Sequence, residues 1–200
     1  MGVVNRDPHS TPGIIHDTFL EAISTARHSI RIINPYFTLC PHLKRALKEA
    51  VARGVDVQVM VSEKSDIPIT PRIVEYNVNK LMRAGVKVYF YQGGFHHSKI
   101  MMIDSIYSFI GSANLNSRSL SFDYECNLLI ADAPTTHQLI SLFDRDRDEH
   151  SFLLTPERWK QLPKWNKFKG WLFHFLTPFV DAQKRRQGIP GMIIIDRLYA

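Results

Sequence analysis

The sequence predicts an α/β fold in which helices flank a mixed β-sheet, and three observations support it. Apolar segments of strand length alternate with amphipathic segments of helix length over roughly the first three quarters of the chain. Glycines follow two of the helical segments and prolines stand near the start of two, as is typical of helix ends and first turns. Two strand-like segments joined by a short link then indicate an antiparallel hairpin in a sheet otherwise connected through helices.

The first half of the chain predicts strands and helices in alternation. Val3 and Val4 read as a strand entering a turn, which is expected either in a truncated longer protein or as a short N-terminal strand. Thr11 and Pro12 suit the N-cap and first turn of a helix. The elements predicted after them are a helix to about residue 27, a strand 29–33, a helix 41–53, a strand 55–61, a helix 70–84 and a strand 86–91.

The second half completes the predicted sheet. Strands 100–103 and 107–110 form the hairpin, strand 126–131 closes the sheet, and a last core helix runs from Thr135 to about His150. That helix is expected to point four apolar side chains inward: Leu139, Ile140, Leu142 and Phe143. Residues 1–154 are therefore predicted to form one α/β domain.

Residues 155–200 differ in character and are predicted to form an amphipathic, aromatic and basic extension. All three tryptophans and five basic residues, but no acidic residue, lie between residues 158 and 180. The aromatic and leucine side chains recur at helical spacing, at Trp165, Phe168, Leu172, Phe175, Leu176 and Phe179. Such a helix fits a membrane interface, with contacts predicted at Trp159, Trp165, Phe168, Trp171 and Phe175. A helix packed on the core and a dimer contact are the alternatives.

The net charge of +6 is concentrated in that extension. Residues 158–186 hold eight of the 25 basic residues and one acidic residue, so the rest of the chain has a net charge of about −1. A nuclease is expected to carry basic residues around its site, so nucleic acid is a disfavoured partner.

Cysteine content and hydropathy bear on the compartment. Cys40 and Cys126 imply neither a disulfide framework nor a metal cluster, which favours a reducing environment. The first ten residues lack the apolar run of a secretion signal, and the uncharged stretch 170–180 is too short to span a bilayer. The expected location is the cytoplasmic face of the membrane, as a peripheral chain or as part of a membrane-anchored longer protein.

A short central stretch carries the groups needed for chemistry on a phosphate ester. His97 and Lys99 are two residues apart at the start of a strand, and Ser112 and Asn114 share that spacing after the next one. Two neighbouring strand ends can therefore direct four polar groups toward one phosphate, where preorganised donors stabilise developing charge.

Histidine serves either as a covalent nucleophile or as a general acid. Glu125 would accept the proton of the other ring nitrogen of His97 and fix its tautomer. His97, Lys99 and Asn114 are a poor metal ligand set, so the predicted route needs neither metal nor cofactor. Asp104 is expected mainly to cap the hairpin, and His96 to point away from His97.

The text HSKIMMID (residues 97–104) with GSAN (residues 111–114) resembles the HKD signature of the phospholipase D superfamily. The segments INPYF, ALKEAVARGVDV and LMRAGVKVYFY further resemble the C-terminal half of bacterial cardiolipin synthases. The resemblance implies an α-β-α sandwich and a phosphatidyl-histidine intermediate on His97. It also implies that Lys99 and Asn114 hold the phosphate, that Ser112 and Glu125 support them, and that Asp104 is the acid of the signature.

The resemblance also implies an incomplete site. The family builds one active site from two such motifs, because one histidine cannot be unprotonated for attack and protonated for the leaving group at once. This sequence has one motif, so either a homodimer or a second half in a longer enzyme is expected.

The favoured function is a phosphatidyltransferase that converts two phosphatidylglycerol molecules into cardiolipin and glycerol, with anionic phospholipid and a membrane surface as partners. The alternatives are a phospholipase D-type phosphodiesterase or nuclease, and an inactive lipid-binding remnant.

Overall fold

A mixed, eight-stranded β-sheet with helices on both faces forms the body of the protein, as a computed structural model describes it for residues 1–174. The strand order is β1-β7-β6-β5-β2-β3-β4-β8. The strands are β1 (Gly2–Arg6), β2 (Ser29–Ile33), β3 (Asp56–Ser62), β4 (Lys87–Tyr91), β5 (Ile100–Ile103), β6 (Tyr107–Gly111), β7 (Glu125–Ala131) and β8 (Ser151–Leu153). The helices are α1 (Ile14–Thr25), α2 (Pro41–Ala52), α3 (Thr70–Met82), α4 (Ser117–Ser121), α5 (Ala133–His150) and α6 (Pro156–Gln161). Residues 164–174 are also helical.

The sheet combines both kinds of strand pairing. Strands β2, β3 and β4 pair in parallel, as expected where helices α2 and α3 connect them. Strands β5, β6 and β7 are antiparallel to their neighbours, and the hairpin β5–β6 has the predicted bounds to within one residue. The predicted sheet of α/β class is therefore confirmed.

Alternation along β5 separates the two faces of the sheet. Met101 and Ile103 belong to the large core under helices α1, α2 and α3, whereas Met102 packs with Ile140 and Phe143 of α5 on the opposite face. Side chains of odd and even number therefore enter different layers. This parity decides which of the polar residues just before β5 can share a site.

Several local predictions were wrong. Thr11 does not cap α1: its hydroxyl accepts from the Asp7 N–H at 2.9 Å and donates to the Asn5 carbonyl at 3.2 Å, and the helix begins only at Ile14. Leu142 is 47% exposed, although it was expected to point inward. Strand β7 does not close the sheet, because β1 pairs along its outer side.

The C-terminal extension begins by continuing the core. Trp159 is only 9% exposed and belongs to the large apolar cluster, so its interpretation as a membrane contact was wrong. Its indole fills space against the body of the domain instead. Phe175, also predicted to contact a membrane, lies outside the described residues. Within residues 1–174, no helix is both long and apolar enough to cross a bilayer.

Candidate active site

The loop between β4 and β5 carries the first pair of site residues. Ser62 holds this loop from the end of β3: its hydroxyl accepts from the His96 N–H at 2.8 Å and donates to the Gly94 carbonyl at 3.2 Å. The His96 ring lies toward α5, with Nε2 3.4 Å from an Asp146 carboxylate oxygen, and packs edge-on against Tyr91. As predicted, His96 and its neighbour in sequence face opposite sides.

His97 is exposed on the other side of the loop, between two aromatic rings. Its ring centroid lies 6.0 Å from that of Tyr36, edge-on, and 5.1 Å from that of Phe95. Partial burial and then the neighbouring Lys99 ammonium lower the pKa of His97 below its ordinary value. The lowered pKa favours the neutral imidazole at neutral pH, which is the form that can act as a nucleophile.

Lys99 supplies the positive charge of the site. Its ammonium donates to the His97 carbonyl oxygen at 2.6 Å, so the side chain curls back along the loop toward the histidine. Burial lowers the pKa of Lys99, while the carboxylates of Glu125 and Asp66 act in the opposite direction. The ammonium thus lies in the field of two carboxylates and close to the imidazole.

The end of β6 supplies the second group of site residues. A Cβ atom on Gly111 would overlap the Asn127 side chain and the Cys126 carbonyl oxygen, so only glycine fits where β6 meets β7. Ser112, the next residue, donates its hydroxyl to the Glu125 carboxylate and accepts from the Cys126 N–H at 3.0 Å. These contacts fix Ser112 and Glu125 relative to each other.

The GSAN segment is held from β2. Asn34 is buried, and its side-chain oxygen accepts from the Leu115 N–H at 3.3 Å. Asn116 caps α4 by accepting from the Ser119 N–H at 2.8 Å. Between them, the Asn114 side-chain oxygen is buried and has no hydrogen-bond partner within the described part of the chain. That oxygen is an acceptor, so a phosphate oxygen at this position would have to be bound by the NH2 group at the other end of the amide.

The structure bears on the predicted role of Asp104. Asp104 follows β5 whereas His97 precedes it, and at about 3.3 Å per residue the strand alone separates them by roughly 13 Å. The Asp104 carboxylate accepts from three backbone N–H groups of the α1–β2 connection instead, those of Arg27, His28 and Ser29. These contacts give Asp104 a structural role, in keeping with the role at the hairpin that was expected for it.

Glu125 does not orient His97 in the way we expected. Its carboxylate is bound by the Ser112 hydroxyl, and the described residues include no hydrogen bond between Glu125 and His97. The groups that act on the His97 pKa are Lys99 and Asp66. Within the described residues, Glu125 therefore contacts Ser112 and acts on the pKa of Lys99.

Tyr36 and Asp66 are site residues that the sequence reasoning missed. The Tyr36 hydroxyl donates to the Asp66 carboxylate, and its ring contacts both Phe95 and His97. Burial, followed by the hydrogen bond to Asp66, raises the pKa of Tyr36, so the phenol stays protonated. Tyr36 lies in the INPYF text, which could have drawn attention to it, whereas the Asp66 loop carries no motif.

The site has little capacity for a metal ion. Among residues 1–174, no three histidine, cysteine, aspartate or glutamate side chains lie close enough together to bind one. The two neighbouring strand ends instead carry an imidazole, an ammonium, a hydroxyl and an amide, which are groups that bind phosphate oxygens.

An α-β-α sandwich with an imidazole and an ammonium at one strand end, facing a GSAN turn at the next, defines a phospholipase D-like domain. The chain belongs to the family described as "Cardiolipin synthase, PLD-like domain", whose model matches residues 19–147. It is 33% identical over 178 residues to cardiolipin synthase A of Yersinia pseudotuberculosis serotype O:1b (strain IP 31758). That alignment covers 89% of this chain and 36% of the relative, so the chain spans about a third of the length of the curated relatives it matches.

Solved structures share the fold. The phospholipase D family member Nuc from Salmonella typhimurium superposes with a TM-score of 0.65 at 21% identity, covering 76% of this chain and 96% of Nuc. Phosphatidylserine synthase from Haemophilus influenzae Rd KW20 superposes with a TM-score of 0.67 at 16% identity, covering 89% of this chain and 45% of that protein. These comparisons confirm the resemblance and the fold class expected from the sequence.

Proposed function

We propose that this chain provides one half-site of a phosphatidyltransferase of cardiolipin synthase type, which converts two phosphatidylglycerol molecules into cardiolipin and glycerol. The observation that carries the proposal is the exposed His97 imidazole, held beside Lys99 with its pKa lowered. Family membership and the 33% identity to cardiolipin synthase A support the lipid substrate.

In the proposed first step, the neutral His97 ring nitrogen attacks the phosphorus of a phosphatidylglycerol. A nitrogen–phosphorus bond forms, the bond from phosphorus to the glycerol oxygen breaks, and glycerol leaves with a proton from a general acid. In this proposal Lys99 and the NH2 group of Asn114 stabilise the negative charge on the phosphoryl oxygens, and Ser112, whose hydroxyl donates to Glu125, supports them.

In the second step, a hydroxyl oxygen of another phosphatidylglycerol attacks the phosphorus of the phosphatidyl-histidine. The nitrogen–phosphorus bond breaks, cardiolipin is released, and the attacking hydroxyl gives its proton to the base that had served as the acid. Transfer and hydrolysis differ only in whether a lipid hydroxyl or water attacks. Exclusion of water therefore decides the product.

We propose that the general acid is the histidine of a second half-site. His97 cannot hold and lack the proton at the same time, and its neighbour His96 is turned away toward Asp146. The second half-site comes from another copy of this chain across a two-fold axis or from further sequence of a longer enzyme. The proposed location is the cytoplasmic face of the membrane, which is consistent with the free thiols Cys40 and Cys126.

The test is to incubate the chain, over a range of concentrations, with vesicles containing phosphatidylglycerol and to separate the products by thin-layer chromatography. Cardiolipin is expected, and a rate that rises more steeply than protein concentration indicates assembly from two copies. His97→Ala is expected to abolish both turnover and the trapped phosphatidyl adduct, whereas His137→Ala, an exposed histidine on α5, is the matched control. If phosphatidic acid is the sole product, the chain hydrolyses the lipid and does not transfer it. If the phosphatidyl adduct still forms in His97→Ala, His97 is not the nucleophile.

A further inference from the structure

The helix of residues 164–174 carries a ladder of three aromatic rings, Trp165, Phe168 and Trp171, which we call the aromatic ladder. The rings of Trp165 and Phe168 stack with centroids 5.5 Å apart, and those of Phe168 and Trp171 lie 5.8 Å apart. The three residues are 61%, 45% and 45% exposed in the described structure. Exposing large apolar side chains to water is unfavourable compared with burying them, so a row of exposed aromatic rings indicates an interaction surface.

The opposite side of the helix is fixed to α3. Gly170 is buried, and a Cβ atom there would overlap the Arg72 carbonyl oxygen and lie 3.1 Å from Tyr76 Cβ. One turn later, the His174 ring packs on Tyr76 with centroids 5.3 Å apart, and its Nδ1 lies 3.2 Å from the Asn77 side-chain nitrogen. At about 100° per residue, the ladder points away from the side that carries Gly170.

The surroundings of the ladder are basic. The Lys169 ammonium lies 5.4 Å from the centroid of the Trp165 ring, and the Lys167 ammonium lies 5.5 Å from that of Trp159. The sequence from Arg158 to His174 contains five basic residues and no acidic one. Aromatic rings flanked by lysines complement a bilayer whose headgroups are anionic, because the rings enter the interface while the ammonium groups remain at phosphate level.

The helix that carries the ladder packs on the first half of α3. Arg72, against which Gly170 packs, is the third residue of α3. That helix follows the loop that carries Asp66, whose carboxylate binds Tyr36 beside His97.

We propose that the aromatic ladder is a membrane-binding face, which inserts into the headgroup region of an anionic bilayer and holds the domain at the lipid surface. Binding requires no chemistry, so it is independent of the proposed transferase activity. Trp159, which is buried in the core, takes no part in it.

The experiment is sedimentation of the full chain with vesicles of phosphatidylcholine alone or mixed with phosphatidylglycerol. The test variant is Trp165→Ser with Phe168→Ser. The matched control is Ile106→Ser with Leu142→Ser, two apolar residues that are 48% and 47% exposed elsewhere on the surface. Circular dichroism and thermal unfolding establish that each variant is folded.

The expected result is binding to phosphatidylglycerol-containing vesicles that weakens with salt and that the control variant retains. Removing two inserted rings is expected to weaken partitioning by about a hundredfold, since partial burial of each is worth roughly a factor of ten. His97→Ala should bind like the wild type, which separates this result from any failure of catalysis.

Three outcomes overturn the proposal. One is that the wild type does not bind vesicles, and another is that the test variant binds as tightly as the control. The third is that the test variant loses self-association in sedimentation velocity while its lipid binding is unchanged, which assigns the ladder to a contact between copies of the chain.

Discussion

Replacing Asp104 tests the conclusion that the acid of the HKD signature is structural in this chain. Its carboxylate accepts from the N–H groups of Arg27 at 2.8 Å, His28 at 2.7 Å and Ser29 at 2.9 Å. It thereby fastens the β5–β6 turn to the connection between α1 and β2. Its backbone has a φ of 52°, in the left-handed region that asparagine and aspartate tolerate better than alanine does.

The magnitude follows from these contacts. A hydrogen bond to a charged group contributes about 1.5–3 kcal/mol when protected, but water can reach the N–H groups of Arg27 and His28, so about 0.5–1 kcal/mol for each of the three is realistic. Alanine also adds roughly 1 kcal/mol of backbone strain. Asp104→Ala is therefore expected to lower the free energy of unfolding by about 3 kcal/mol, or roughly 6–12 °C in Tm for a domain of this size. Asp104→Asn keeps one acceptor and the backbone preference and should lose about 1 kcal/mol.

The effect should depend on pH in a defined direction. Burial alone raises the pKa of Asp104, but the hydrogen bonds from Ser29, Arg27 and His28 outweigh it, so the pKa lies below the ordinary value of 3.8. The charged form then stabilises the fold above that ordinary value, and its contribution is lost as the pH falls through the folded-state pKa. The difference in stability between the wild type and Asp104→Ala should shrink between pH 7 and pH 3.

Urea unfolding at several pH values measures both variants, and labelling of His97 by a phosphatidyl donor at 20 °C measures the site. Wild-type stability in Asp104→Ala would refute the structural role. Loss of labelling in a variant that is fully folded would show that the acid serves the chemistry instead.

Three further predictions concern the site and its support. The NMR titration of His97, assigned by comparison with His97→Gln, should give a pKa below 6.5. Asp66→Asn should lower that pKa further, because the Asp66 carboxylate favours the imidazolium. An upward shift in Asp66→Asn would contradict the electrostatic assignment. Gly111→Ala should unfold the domain or cost about 3 kcal/mol or more, because the added methyl overlaps β7, while Gly2→Ala, with open space around it, should change thermal stability by less than about 0.5 kcal/mol. Burial and the nearby Lys80 lower the pKa of Lys44 to about 8. The free energy of unfolding should therefore rise by about 1–2 kcal/mol as the pH increases from 8 to 10.5, because the unfolded lysine still binds a proton in this range. If Lys44→Met shows the same rise in urea unfolding, Lys44 is not its source.

The parts of the fold that were predictable are those set by local pattern. The hairpin followed from two apolar runs around a three-residue link, and helix α2 from a proline at its start and a glycine after its end. The division between His96 and His97 followed from the period of two alone, since odd and even residues next to β5 enter different layers. These features need only a few neighbouring residues.

The parts that were not predictable depend on residues that are distant in sequence. Asp104 binds N–H groups about 75 residues away, and the pair Tyr36 and Asp66 meets across a 30-residue separation. Strand β8 has only three residues and gains its place by pairing with β4. Trp159 resembles the exposed tryptophans in its sequence surroundings, and only the fold shows that its ring enters the core. Periodicity carries no signal for such contacts.

The anchoring of the loop between β4 and β5 has a consequence for how this protein can change. His96 and Ser62 secure the loop from the α5 side, whereas the His97 ring faces the other side. His96 thus holds the loop in place, while the adjacent His97 remains exposed at the candidate site. A substitution of Asp146 on α5 is therefore expected to disturb the loop that carries His97 without changing any group that faces the site. The α5 side of the sheet thus influences the position of His97 through residues that are not themselves part of the candidate site.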